Sequence, residues 1–135
     1  MSFASWNESY SVKVRHLDDE HKQLFAIIDQ LHEGMRAGRG RDVLQSVLDQ
    51  LLLYTQQHFT DEELLLQVAR YPWINAHIGL HQQFVNKIKD FSQGFHLGAA
   101  PISVEMVEFL RNWLSEHIMR ADQQYTVTLS AAGIH

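Results

Sequence analysis

Apolar residues recur at three- and four-residue spacing in four stretches of this chain, and short breaks marked by glycine and proline separate them. That pattern limits the chain to packed helices. The first stretch runs from about Asp18 to Met35, with Leu24, Phe25, Ile28, Leu31 and Met35 on one face. The second runs from about Asp42 to Arg70 and carries Val47, Leu48, Leu51, Leu52, Phe59, Leu65 and Leu66. It ends before Tyr71–Pro72, because a residue preceding proline is pushed out of the helical region. The third, from about Ile74 to Phe91, contains Ile78, Phe84, Val85, Ile88 and Phe91. The fourth follows Pro101, opens at Ser103 as a candidate N-cap, and reaches about Tyr125 through Val107, Leu110, Trp113, Leu114, Ile118 and Ala121.

Strand alternation is nowhere sustained, and short connections make consecutive helices antiparallel. The expected fold is all-α: an up-down-up-down four-helix bundle with helices at about 18–36, 41–70, 74–92 and 103–125. Residues 1–135 form a single domain in this scheme. Residues 1–17, with Trp6, Tyr10, Val12 and Val14, are expected as an extended arm packed along the bundle, with Asp18 or Asp19 capping the first helix. The last ten residues carry no clear signal.

Composition removes several functions. Eleven Lys plus Arg against sixteen Asp plus Glu give a net charge of −5. That argues against a nucleic-acid binder and against a polybasic membrane anchor. Cysteine is absent, which excludes disulfides, Cys-ligated zinc, iron–sulfur clusters and thiol catalysis. The first twenty residues lack the pattern of a secretory signal, and no run of about 18 apolar residues would span a bilayer. The expectation is a cytoplasmic protein without membrane insertion. Nine histidines stand out. Without cysteine, a metal site here is built from imidazole nitrogen and carboxylate oxygen.

Five of the histidines fall on the apolar faces. His21 precedes Leu24 and Phe25 by three and four residues. His58 follows Leu51 by seven and precedes Glu62 by four. His77 and His81 are four apart, and His81 precedes Phe84 and Val85 by three and four. His117 follows Trp113 and Leu114 by four and three. A lone histidine on such a face is ordinarily a satisfied core residue. Five unpaired imidazoles in one core would cost a few kcal/mol each, roughly, and a metal removes that cost. Pairs at i, i+4 share one helical face, the spacing two ligands need to reach one ion. His16, His32, His96 and His135 lie off these faces and read as surface or loop histidines.

The inward ligands are too many for one zinc ion. The His77–His81 pair encloses Ile78, Gly79 and Leu80, so the HExxH motif is absent. No glutamate has a histidine three residues later, so the ferritin-type di-iron motif is absent too.

Fragments along the chain carry a resemblance: Trp6–Asn7, Asp18-Asp19-Glu20-His21, His58-Phe59-Thr60-Asp61-Glu62-Glu63, His77-x-x-x-His81, and Trp113-Leu114-x-x-His117-Ile118-x-x-x-Asp122. In this order, on four helices, they resemble the hemerythrin family in its single-domain bacterial form. The resemblance implies a four-helix bundle around a non-haem di-iron centre. It implies that His77, His81 and His117 bind one iron, and His21 and His58 the other. Glu62 and Asp122 would bridge the two irons, together with an oxo or hydroxo group. Two six-coordinate irons offer about twelve positions; this set fills all but one, on the iron with fewer histidines, where the family binds O2 reversibly. Phe59, Trp113, Leu114 and Ile118 match apolar positions of the family's O2 pocket, and Leu114 and Ile118 are expected to keep it dry. Glu20 stands where glutamine is common in the family, and Leu66 where methionine is common. Neither is a ligand position.

His117 and Asp122 are five residues apart, about 140° from sharing a face on a regular helix. A local irregularity near the end of the fourth helix is therefore expected. Glu63 is expected to stand outside the ligand set, and Asp18 and Glu20 to orient His21 or to favour the helix N-terminus. The function implied is O2 binding without catalysis: a carrier, a store, or delivery to an oxygen-consuming enzyme, by a monomer. The alternatives are an O2 or redox sensor and, further off, a di-iron oxidase.

Overall fold

The computed structural model describes residues 2–98 and 102–135. Its elements are α1 (Arg15–Arg36), α2 (Arg41–Val68), α3 (Ile74–His96), α4 (Val104–His117), a π-helical turn (Ile118–Asp122) and α5 (Gln123–Ala131). A 3-10 turn at Glu8–Tyr10 precedes them. No strand occurs among the described residues. The fourth helix of the bundle is thus three pieces in line: α4, the π turn and α5. Helix α1 packs on α2, α2 on α3, and α4 on α1. Pro101 lies outside the described residues.

The core is drawn from the periodic positions. Leu24, Phe25, Ile28 and Leu31 of α1 meet Val47, Leu48, Leu51, Phe59 and Leu66 of α2. Phe84, Val85 and Ile88 of α3 and Val107, Leu110, Leu114 and Ile118 of the fourth helix complete it. Met35, Leu52, Leu65, Phe91 and Trp113 are only partly buried at its margin.

Two helix ends show how the breaks work. After α1, Gly38 adopts φ +67°. Its N–H donates to Met35 O (3.2 Å), and the Arg39 N–H donates to Gly34 O (2.9 Å). This is the 6→1, 5→2 pair of a Schellman stop, which favours glycine. After α2 the same pair forms from Arg70 N–H to Gln67 O (3.1 Å) and Tyr71 N–H to Leu66 O (2.9 Å). Here the left-handed position is Arg70, at φ 58°. The next residue, Tyr71, is thereby turned into the core, where it is buried.

The helix limits differ from the periodic stretches in three places. Helix α1 begins at Arg15, with Val14 at its N-cap and no side-chain cap. Asp18 is taken up elsewhere: it accepts from the Val12 N–H (2.8 Å) and from Ser11 Oγ (2.6 Å), pinning the arm to the bundle. Helix α3 continues through Gly94 to His96, and α5 carries the last helix to Ala131. Ser103 does cap α4, accepting from the Met106 N–H at 3.2 Å. The arm buries Ala4, Val12 and Val14. Tyr10 Oη lies 2.7 Å from Ser115 Oγ.

Candidate metal centre

Antiparallel packing sets the start of α1, the end of α2, the start of α3 and the π turn at one end of the bundle. His21, His58, Glu62, His77, His81, His117 and Asp122 all converge there, and all are buried. Glu62, His77, His81, His117 and Asp122 each offer one ligand-type atom within 4.8 Å of the others. So do His21, His58 and Glu62. The two groups meet at Glu62.

Each carboxylate divides its oxygens between the two groups. Glu62 Oε1 lies 2.8 Å from His77 Nε2 and 2.9 Å from His81 Nε2. Its Oε2 faces His58 Nε2 (3.5 Å) and His21 Nε2 (3.7 Å). Asp122 Oδ1 lies 3.0 Å from His77 Nε2 and 3.1 Å from His117 Nε2, and its Oδ2 lies 3.2 Å from His21 Nε2. All five imidazoles therefore present Nε2 inward, toward two carboxylates that each face both ways.

The π turn makes this possible. His117 closes α4 and Asp122 closes the turn. Hydrogen bonding of the i→i+5 kind brings residues five apart onto one face, and such turns are found chiefly at functional sites. The expected irregularity lies where the five-residue spacing demands it.

The polar atoms fit a bound metal. Nε2 of His21, His81 and His117 and both oxygens of Asp122 are buried without a hydrogen-bond partner. An unpartnered buried polar group costs roughly 1–3 kcal/mol, and cations held by the two groups would satisfy all five of these atoms. Two of the outer ring nitrogens are held by carboxylates. His58 Nδ1–H donates to Glu20 Oε1 at 2.8 Å, and His81 Nδ1–H donates to Glu63 Oε2 at 2.7 Å. A carboxylate can only accept, so the proton sits on Nδ1 and the Nε2 lone pair faces the centre. Glu20 thus orients His58 across the α1–α2 interface, where the sequence pointed to His21. Glu63 stands outside the ligand cluster.

Aromatic rings wall the centre. Phe59 stacks on His81 (ring centroids 3.7 Å apart), and Trp113 stacks on both His117 (4.5 Å) and Phe84 (4.0 Å). Leu114 and Ile118 are buried on either side of His117 in the chain. Two tyrosines that the sequence did not single out for the site belong here as well. Tyr125 Oη donates to Glu62 Oε2 at 2.9 Å. Tyr71 packs edge-on against His77 and against Tyr125, at 6.3 and 6.4 Å between centroids.

Charge is strongly coupled in this pocket. Burial would lower the basicity of His21, but the Asp122 and Glu62 carboxylates outweigh it and lift its pKa to about 9. His77 is lifted against burial in the same way, also to about 9. Burial opposes ionisation of Glu62, yet the surrounding imidazoles hold its pKa well below the carboxylate range. Asp122 is lowered too, by His117 and His21, against burial and the Glu62 charge. Burial, reinforced by Asp122 and Glu62, keeps Tyr125 a neutral phenol far up the pH scale.

The fold and the site define a class: a four-helix bundle enclosing a histidine–carboxylate cluster able to hold metal. The family model described as the hemerythrin HHE cation-binding domain matches residues 12–128. A bacteriohemerythrin of Methylococcus capsulatus is 32% identical over 132 residues, covering 97% of this chain and 100% of that protein. A myohemerythrin of Theromyzon tessulatum is 30% identical over 120 residues, covering 89% of this chain and 88% of that one. The crystal structure of a wild-type hemerythrin superposes with a TM-score of 0.89 at 31% identity, over 96% of this chain and 99% of its own. The chain belongs to the hemerythrin family, which binds O2 at a non-haem di-iron site. No helix among the described residues is long and apolar enough to cross a membrane.

Proposed function

We propose that this chain binds O2 reversibly at a di-iron centre, as an oxygen carrier or store or as a source for an oxygen-consuming enzyme, and not as an enzyme itself. His77, His81 and His117 would hold one iron, His21 and His58 the other, and Glu62 and Asp122 would bridge them with an oxo or hydroxo group. Iron bound there would supply the redox electrons and the place at which O2 binds. The protein is proposed to act as a cytoplasmic monomer.

One observation carries this reading: both carboxylates turn one oxygen toward the three-histidine group and the other toward the two-histidine group. A mononuclear site has no use for that division. The rest of the pocket serves it. Glu20 and Glu63 hold two imidazoles in the ligating tautomer, and Tyr125 fixes the second oxygen of Glu62. Phe59, Trp113, Leu114 and Ile118 would line the O2 pocket, and Leu114 and Ile118 would exclude the water that promotes irreversible oxidation.

Iron-loaded, reduced protein cycled between O2 and argon tests the proposal. A visible absorption band that appears with O2 and vanishes under argon, over repeated cycles, supports it. One-way conversion to the oxidised form contradicts a carrier and favours redox sensing or oxidase chemistry.

A further inference from the structure

Outside the buried centre, His16, Glu20 and Asp61 form a second convergence of ligand-type atoms, all within 4.8 Å of one another. His16 and Glu20 stand one turn apart on α1, and Asp61 comes from α2. His16 Nε2 lies 3.5 Å from Glu20 Oε2 and 3.4 Å from Asp61 Oδ2. We propose that these three side chains form an outer divalent-cation site on the α1–α2 face, separate from the dinuclear centre.

Its chemistry and geometry support it. The set is mixed, one imidazole nitrogen with two carboxylates, which is a set that borderline divalent metals accept. The separations exceed the usual length of a hydrogen bond. They match the spacing of two donors on one tetrahedral ion with bonds of about 2.1 Å, which is about 3.4 Å. Glu20 is only 5% exposed, and it reaches outward from the core. Its Oε1 accepts from His58 Nδ1–H at 2.8 Å, which leaves Oε2, 3.5 Å from His16 Nε2, facing the outer group. Two carboxylates brought together beside one exposed imidazole are short of positive charge, and a divalent cation supplies it. The side chain of His16 is 66% exposed, so the site opens to water, which would complete the coordination. Glu20 serves both places at once: one oxygen holds the imidazole of the buried centre and the other faces the outer cation.

Zn2+ is the probe. Iron-loaded protein is titrated with Zn2+ by calorimetry, and iron is counted on the same samples. The proposal predicts one Zn2+ bound per chain, with affinity reduced about tenfold or more in His16→Ala and in Asp61→Asn, and iron content unchanged in both. The two substitutions lie on different helices, so a folding fault in one does not decide the result. Wild-type protein that binds no Zn2+ would overturn the proposal. So would variants that bind as wild type does, which would move the ion to another surface histidine. Loss of iron together with zinc would overturn it as well, because the two residues would then belong to the buried centre. The test does not depend on O2 binding.

Discussion

Tyr125 Oη donates a 2.9 Å hydrogen bond to Glu62 Oε2, the carboxylate oxygen that faces His21 and His58. The phenol is fully buried, and burial together with the Asp122 and Glu62 charges holds it in the protonated form. Glu62 is thereby fixed in the orientation that splits its oxygens between the two histidine groups.

Tyr125→Phe removes only this bond, in a ring of nearly the same shape. Hydrogen bonds to charged groups contribute about 1.5–3 kcal/mol. The metal-free variant is expected to lose about that much stability, read as a lower urea midpoint with unchanged slope. An unchanged midpoint would show that Glu62 does not depend on the phenol.

The pH dependence follows from the imidazoles and carboxylates together. In the metal-free protein, His21 and His77 are raised from 6.5 to about 9. Their contribution to stability is complete below about pH 6.5 and is lost as pH rises through 9. Glu62 and Asp122 are lowered, so theirs is present above the ordinary carboxylate range and is lost as pH falls. The metal-free chain should therefore be most stable between about pH 5 and 6.5. Metal must displace those imidazole protons, so the gain in melting temperature on iron loading should widen from pH 6 to pH 9. Melting curves of both forms at the two pH values check this. A constant gap would contradict the proton displacement.

Leu114 precedes His117 by three residues and is buried in the wall of the fourth helix. Leu114→Ala opens that wall. It should cost about 2–5 kcal/mol as a large-to-small core change, and it should alter the rate of one-way oxidation of the O2-bound protein, followed by loss of its absorption band. An unchanged rate at a confirmed stability loss would leave Leu114 a packing residue only.

Arg70 holds a left-handed conformation, φ 58°, so that Tyr71 can turn in against His77 and Tyr125. A side chain there costs roughly 1–2 kcal/mol, part of which glycine gives back as unfolded-state entropy. Arg70→Gly should raise stability by about 0.5–1 kcal/mol in a denaturant titration. A destabilised variant would mean that the Arg70 side chain makes a compensating contact.

The parts legible in the sequence are those encoded by local spacing. His21, His58, His77, His81 and His117 share faces with the apolar stripe, and the structure gathers them. The five-residue gap from His117 to Asp122 announced an irregularity, and the π turn occupies that gap. Contacts across helices left no such trace. Nothing in the run Asp18-Asp19-Glu20-His21 shows that Glu20 reaches His58 on another helix while Asp18 ties down the arm. Tyr71 marked only the break before Pro72 and Tyr125 only the end of the fourth stretch, and neither position shows that Tyr71 packs on His77 or that the Tyr125 hydroxyl meets Glu62. Helix α3 ran past its expected end because Gly94 stays helical, its conformation set by the packing of Phe95 into the core.

Two metal ions sharing Glu62 is what the site's geometry favours. Iron analysis of the wild-type chain and of Glu62→Ala, loaded side by side under anaerobic conditions, tests it most directly. Two irons per chain are expected in the wild type, with loss of tight iron binding at both positions in the variant, whose fold is followed by circular dichroism. One iron per wild-type chain, a preference for zinc, or two irons retained by a folded Glu62→Ala would contradict it.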